Sequence, residues 1–183
     1  MKRLIFIVIL LLLLCGCDNT QPEYLVSSMG FDYNGGKYTV CFESVVVNSE
    51  NTNQTVKLLK GEGSSIEKAV SVIKKQCTQP LLMSHCGVIA VSENMPLKQF
   101  KNVCDFCYKR DEITLSAFFI KTDNPQELLS VKPLSSACVG YDIMGLLKQN
   151  SNFKNRFFEV VNSGYKARLP KITEKDGGLY FEG

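Results

Sequence analysis

Cys104-Asp105-Phe106-Cys107 is the pair in this sequence whose residue types and spacing suit thiol–disulfide chemistry. Such a dithiol needs its nucleophile at a helix N-terminus, where the positive end of the dipole favours the thiolate. The helical pattern of "MPLKQFKNVCDFCYKR" instead puts both cysteines near the C-terminal end, where the dipole opposes a thiolate. A spacing of three on an apolar face also serves two core positions, and a structural disulfide is the third use. Core packing is the expected role. Cys77, His85, Cys104 and Cys107 offer the ligand types of a zinc site, but not the spacing of a finger or ribbon, and His85 is the only histidine. No metal is expected. Gly61-Glu62-Gly63-Ser64-Ser65 suggests a phosphate cradle at a helix start. It lacks the P-loop lysine and the full dinucleotide fingerprint, so a strand exit followed by a helix cap accounts for it. Asp111 and Glu112, beside Arg110, would make a poor acid–base pair because adjacent residues point in different directions. A solvated turn is expected there, and no catalytic residue is assigned.

The compartment in which these residues work is set by the first residues, "MKRLIFIVILLLLLCGC". Lys2 and Arg3 precede an apolar core, Leu4 to Leu14, which as a helix would be about 16 Å long against a hydrocarbon layer of ~30 Å. A charged start, a short apolar run and small residues at its end read as an export signal. Leu14-Cys15-Gly16-Cys17 resembles the bacterial lipobox, which implies acylation of Cys17 as the first residue of the mature chain. Cys15 fits less well, because bulky Leu14 would then occupy the cleavage position. An ordinary signal peptide with incidental cysteines is the alternative. Diacylglycerol plus an N-acyl chain at Cys17 would make a stable anchor, since each buried methylene contributes ~0.8 kcal/mol.

Residues 17–183 suffice for one domain with its own core. Loss of Lys2 and Arg3 takes the formal charge from +3 to +1, and no basic stripe follows, so nucleic acid is not expected as a partner. Of eight cysteines, six would remain: Cys41, Cys77, Cys86, Cys104, Cys107 and Cys138. In an exported protein an even number permits a disulfide framework. Several occupy positions suited to a small buried hydrophobe, so free thiols are equally open.

Residues 1–16 thus read as signal, 17–23 as tether and 24–183 as the folded domain. "YLVSSMGFDY" and "KYTVCFESVVV" flank the turn signal Asn34-Gly35-Gly36 and predict a hairpin. "NSENTNQ" reads as a polar loop and "TVKLLKGEG" as a third strand. Ser64, with Glu67 three residues on, predicts a capping box for a helix whose core face is Ile66, Ala69, Val70 and Ile73. "CGVIAVS" is a short buried strand. The next helix has Pro96 near its start and Leu97, Phe100, Cys104 and Cys107 on its apolar face. "EITLSAFFIKTD" reads as a strand and "NPQELLSV" as a short helix. "SSACVGYDIMGLLKQN" and "NFKNRFFEVVNSG" read as two further helices, and "LPKITEKDGGLYFEG" as a final hairpin. The predicted class is α+β: a single domain with a mixed β-sheet, opened by a β-hairpin, and helices packed against it.

The lipobox, Met29-Gly30-Phe31-Asp32, "GEGSSIEKAV", "HCGVIAVSE" (residues 85–93) and "KRDEITLSAFFIKTDNPQELLSV" follow one another in a set order. That order, with those residues, resembles the N-terminal domain of the Ger(x)C family, the lipoprotein C subunits of spore germinant receptors. "LPKI" and "LYFEG" are similar to the family's exit from this domain. Family members continue past "FEG" into further domains, so the resemblance implies a fragment or a shortened product. It further implies a non-enzymatic subunit without a cofactor, held by Cys17 on the outer face of the inner spore membrane and assembled with A and B subunits. Arg110, Asp111 and Glu112 are the candidate surface for docking a partner subunit. A solute-binding or other cell-envelope lipoprotein is the competing reading, and a thiol–disulfide oxidoreductase using Cys104 and Cys107 is a third.

Overall fold

Asn34-Gly35-Gly36 turns the chain as its composition predicts: Gly35 and Gly36 have φ of +56° and +82°, the left-handed conformation a tight hairpin needs. The computed structural model describes residues 23–48, 51–150 and 152–182, with backbone alone at 47, 48 and 51–54. The turn joins β1 (Glu23–Asn34) to β2 (Lys37–Asn48), which pair antiparallel, and β3 (Asn51–Gly63) returns antiparallel to β2. β3 begins earlier than the strand read from Thr55, and so takes in part of the segment read as a polar loop.

Beyond this meander the sheet becomes parallel. α1 (Ile66–Lys74) leads to a two-residue strand β4 (Leu81–Leu82) beside β1, then to β5 (Val88–Ser92). α2 (Leu97–Tyr108) crosses to β6 (Phe118–Thr122), parallel to β5. α3 (Pro125–Ser130), α4 (Val139–Gln149) and α5 (Phe157–Asn162) precede the closing hairpin of β7 (Lys171–Lys175) and β8 (Gly178–Glu182). The sheet order is β3-β2-β1-β5-β6-β7-β8, with β4 beside β1. It is a mixed sheet with helices packed on it in one α+β unit, as the alternation of elements predicts.

The two faces of the sheet carry separate cores. Ile89, Val91 and Phe119 project into one, with α1, α2 and α5 over it. Val88, Ala90, Phe118 and Ile120 project into the other, under α3 and α4. Strands covered on both sides must be apolar at consecutive positions, which is why "VIAV" and "FFI" lack alternation.

β1 does not keep a single alternation. Val26 pairs with Ser44 and Ser28 with Glu43, so Ser27 is an extra residue in a β-bulge. The bulge lets Tyr24 and Val26 share a core with Met29 and Phe31. An unbroken strand would send the two pairs to opposite faces.

Several local readings need correction. α1 is capped by Ser65, whose Oγ accepts from Lys68 N at 3.3 Å, while Ser64 Oγ receives Lys68 Nζ. The cap is the residue just before the first helical one, so its third follower is Lys68 and no carboxylate closes a box. In α2 the buried residues are Val103, Cys104, Phe106 and Cys107; Leu97, expected in the core, is 56% exposed at the rim. The strand read over Glu112–Asp123 forms only at Phe118–Thr122, because Glu112–Ala117 makes local turns, with Ala117 N bonding Thr114 O. The last helix likewise covers only Phe157–Asn162 of the stretch read from Asn152. There Gly164 and Tyr165, at φ of +66° and +67°, take the chain out of the helix.

Candidate functional site

Cys104 and Cys107 lie in the second half of α2 with their side chains in the core. Burial pushes the Cys104 thiol up to about 12, helped by the charge of Asp105. Burial also drives Cys107 well above the ordinary thiol range, with Cys86 and Cys104 adding to the rise and Arg110 opposing it. A redox nucleophile needs the opposite shift and an open approach. All six described cysteines are free, so neither the Cys104–Cys107 pair nor any other forms a disulfide here. Cys41 and Cys86 are buried thiols also raised to about 12, chiefly by burial. Of the zinc-type residues, His85 is exposed, Cys77 half-buried, and Cys104 and Cys107 in the core; no group of three potential ligands occurs among the described residues.

The glycines of Gly61-Glu62-Gly63 serve packing. A Cβ on Gly61 would meet the Ala69 carbonyl oxygen at 2.1 Å, and one on Gly63 would meet Ala69 N at 2.6 Å. Each glycine is a point where β3 passes against the backbone of α1 with no room for a side chain. Gly30, in Met29-Gly30-Phe31-Asp32, is similar: its Cβ would lie 2.9 Å from Pro125 Cβ of α3. The quoted motifs are therefore contact points between sheet and helices.

Arg110, Asp111 and Glu112 follow α2 at the turn into β6 and are not equally available. The Arg110 guanidinium stacks 4.2 Å from the centroid of the Phe106 ring, and its Nε is buried without a hydrogen-bond partner among the described residues. Glu112 Oε2 accepts from Met83 N at 3.2 Å, so this carboxylate tethers the segment before β5. Asp111 is exposed. Cys17 lies outside the described residues.

The most completely bonded polar centre lies at a residue that no sequence motif singles out. Glu43 of β2 is 1% exposed. Its Oε2 accepts from Ser27 Oγ at 2.8 Å, Ser28 Oγ at 2.7 Å and Gly140 N at 2.9 Å, and its Oε1 from Val139 N at 2.6 Å. Val139 and Gly140 open α4, whose cap residue Cys138 supplies no side-chain bond. A carboxylate from the sheet thus satisfies amides that a helix start leaves open, at the positive end of its dipole. The bulge at Ser27 is what brings two consecutive serines to one carboxylate. One signal is present: a single acidic residue, Glu43, in a mostly apolar stretch, "VCFESVVV". On the other side of the same turn, Asp142 accepts from Leu134 N at 2.6 Å and Ser135 Oγ at 2.9 Å. Partial burial alone would raise this carboxyl, but these bonds outweigh it and hold it below its ordinary value.

At the carboxyl ends of the parallel strands, Lys171 Nζ lies 2.7 Å from Glu93 Oε2 and 2.8 Å from Asp123 Oδ1. The Lys171 hydrogen bond holds Asp123 below the usual carboxylate range. The pair ties the end of β5 and the exit of β6 to the start of β7.

None of these centres joins a nucleophile, a base and an accessible cleft. Among the described residues no helix is long and apolar enough to cross a membrane. No curated protein and no solved structure matches the chain. A family model described as the spore germination protein N-terminal domain matches residues 23–165, from the first residue of β1 to the turn after α5. The chain belongs to the family of spore germination proteins that carry this N-terminal domain.

Proposed function

We propose that this protein is a lipid-anchored subunit of a spore germinant receptor, acting by assembly with A and B subunits rather than by catalysis. The family match across residues 23–165 carries the reading, and the signal-like start with Cys17 supplies the membrane attachment. Diacylglycerol and an N-acyl chain on Cys17 would hold the domain on the outer face of the inner spore membrane. Two or more acyl chains make such attachment stable where one is marginal. Burial of Cys104 and Cys107, with thiols raised, fits a packing role and gives no support to oxidoreductase chemistry.

Partner docking is assigned to the turn of Arg110, Asp111 and Glu112, where Asp111 is exposed and Glu112 already accepts from Met83 N. One experiment addresses anchor and docking together. Cys17→Ala is expected to move the protein from the membrane to the soluble fraction of spores and to slow nutrient-triggered germination. Retention of Cys17→Ala on membranes would refute the anchor. Asp111→Lys is expected to leave the protein on the membrane but reduce its co-purification with the A and B subunits. Undiminished co-purification would refute this docking surface while leaving the anchor standing.

A further inference from the structure

At the carboxyl ends of β5 and β6, on the side of the sheet covered by α2 and α5, lies a cavity of about 210 Å³. Open α/β sheets bind ligands at this end of their parallel strands, where helices and loops diverge. Met95, Phe100 of α2 and Leu169 give the cavity apolar walls. Tyr165 closes one side.

The polar lining is unbalanced in charge. Glu93 lines the cavity, but its carboxylate is taken by Lys171 at 2.7 Å. Lys121 of β6 lines it too, half-buried, with no carboxylate within 4.0 Å and no hydrogen-bond acceptor for its ammonium among the described residues. Its neighbour across the sheet is Lys171, whose own charge is met by Glu93 and Asp123. Lys121 is therefore the cation at this rim left without a counter-charge, set against an apolar floor.

We propose that this cavity binds a small organic anion, a carboxylate on a compact apolar body, with the carboxylate on Lys121 Nζ and the body against Phe100, Met95 and Leu169. The size agrees: an apolar cavity of about 150 Å³ holds benzene, so the present one takes a ring with one substituent. The site lies outside the contacts assigned to partner docking and does not depend on them.

Benzoate and its neutral isostere benzamide separate the ionic from the apolar part. Each is titrated into the purified full chain while the methyl resonances of Met95, Ala167 and Leu169 are followed. Benzoate is expected to shift these methyls saturably, with Kd on the order of 1 mM, and benzamide to bind at least roughly tenfold more weakly, one charge-assisted bond being worth about that much. Lys121→Met should bring benzoate to the level of benzamide, and Lys121→Arg should retain it. Ala167→Phe, which puts a ring into the cavity from a half-buried position in its lining, should abolish both. The proposal is overturned if benzoate produces no saturable shift of these methyls, if benzamide binds equally well, or if Lys121→Met binds benzoate like the parent. Should Ala167→Phe not fold, the comparison of Lys121→Met with Lys121→Arg decides alone.

Discussion

Removing the Glu43 carboxylate is the most demanding test of how this domain is held together. In Glu43→Leu, four donors lose their acceptor inside the protein: Ser27 Oγ, Ser28 Oγ, Val139 N and Gly140 N. The serine hydroxyls can rotate, and Ser27 Oγ already reaches the Glu43 carbonyl at 3.1 Å. The two amides are fixed by the start of α4 and cannot turn away. A buried donor without an acceptor costs about 1–3 kcal/mol, so the amides alone set a loss of ~2–6 kcal/mol. Domains have only about 5–15 kcal/mol in all, so this variant approaches unfolding. Glu43→Gln keeps the shape and one acceptor oxygen. That oxygen is better placed at the Oε2 site, where three donors converge, leaving the new amide facing Val139 N alone. One mismatched donor predicts ~1–3 kcal/mol, a fall in Tm of about 2–12 °C for a chain of this size. Urea denaturation of parent and both variants measures the ranking, with an unchanged slope confirming that stability alone has moved. Hydrogen exchange at Val139 and Gly140 should accelerate more than exchange in β5. The reasoning fails if Glu43→Leu is as stable as the parent, or if Glu43→Gln and Glu43→Leu lose the same amount.

Gly61→Ala should destabilise by about 1–3 kcal/mol, as overpacking does, because its methyl would sit 2.1 Å from the Ala69 carbonyl oxygen. Gly145→Ala, inside α4 with nothing within 4 Å of the new methyl, should instead stabilise by about 0.5–1 kcal/mol; thermal melts of the pair compare close approach with open space. Native protein at neutral pH should resist thiol reagents at Cys86, Cys104 and Cys107 until it is unfolded, since burial holds these thiols protonated and covered; rapid native labelling at Cys104, read by mass spectrometry, would contradict that. The Asp142 carboxyl is held below its unfolded value near ~3.9, so its contribution is complete above that pH and is lost as pH falls through the lower folded value. Asp142→Asn should therefore lower the denaturation midpoint near neutrality and flatten its acid limb.

Much of the architecture was legible because it is written in short-range pattern. The turn at Gly35-Gly36 follows from what those residues permit, and the buried face of α1 from helical spacing at Ile66, Ala69, Val70 and Ile73. The helix-end position of Cys104 and Cys107, read from the run that contains them, was enough to argue against a reactive dithiol. Less legible were the lengths of elements near Glu112–Ala117 and Asn152–Arg156, where apolar residues contact the domain through turns. Leu97 fits the helical period yet sits where α2 overhangs the rim. Periodicity states which residues share a face, not how far the neighbouring surface extends.

Glu43 and Lys121 lay beyond that kind of reading. Each is a charged residue set among apolar neighbours in a strand, and a sequence does not say whether it meets solvent, a counter-charge or a helix start. Glu43 meets α4 about a hundred residues later because a single extra residue, Ser27, shifts β1 against β2 and turns two serines to one carboxylate. Lys121 has no carboxylate partner among the described residues, since Lys171, beside it in the sheet, has taken Glu93 and Asp123. The sequence by itself determined local geometry and apolar faces, since turn conformation and helical or strand spacing depend on near neighbours. Only the tertiary structure decided which charges are satisfied and which are left over, because that depends on groups brought together across the sheet from distant parts of the chain.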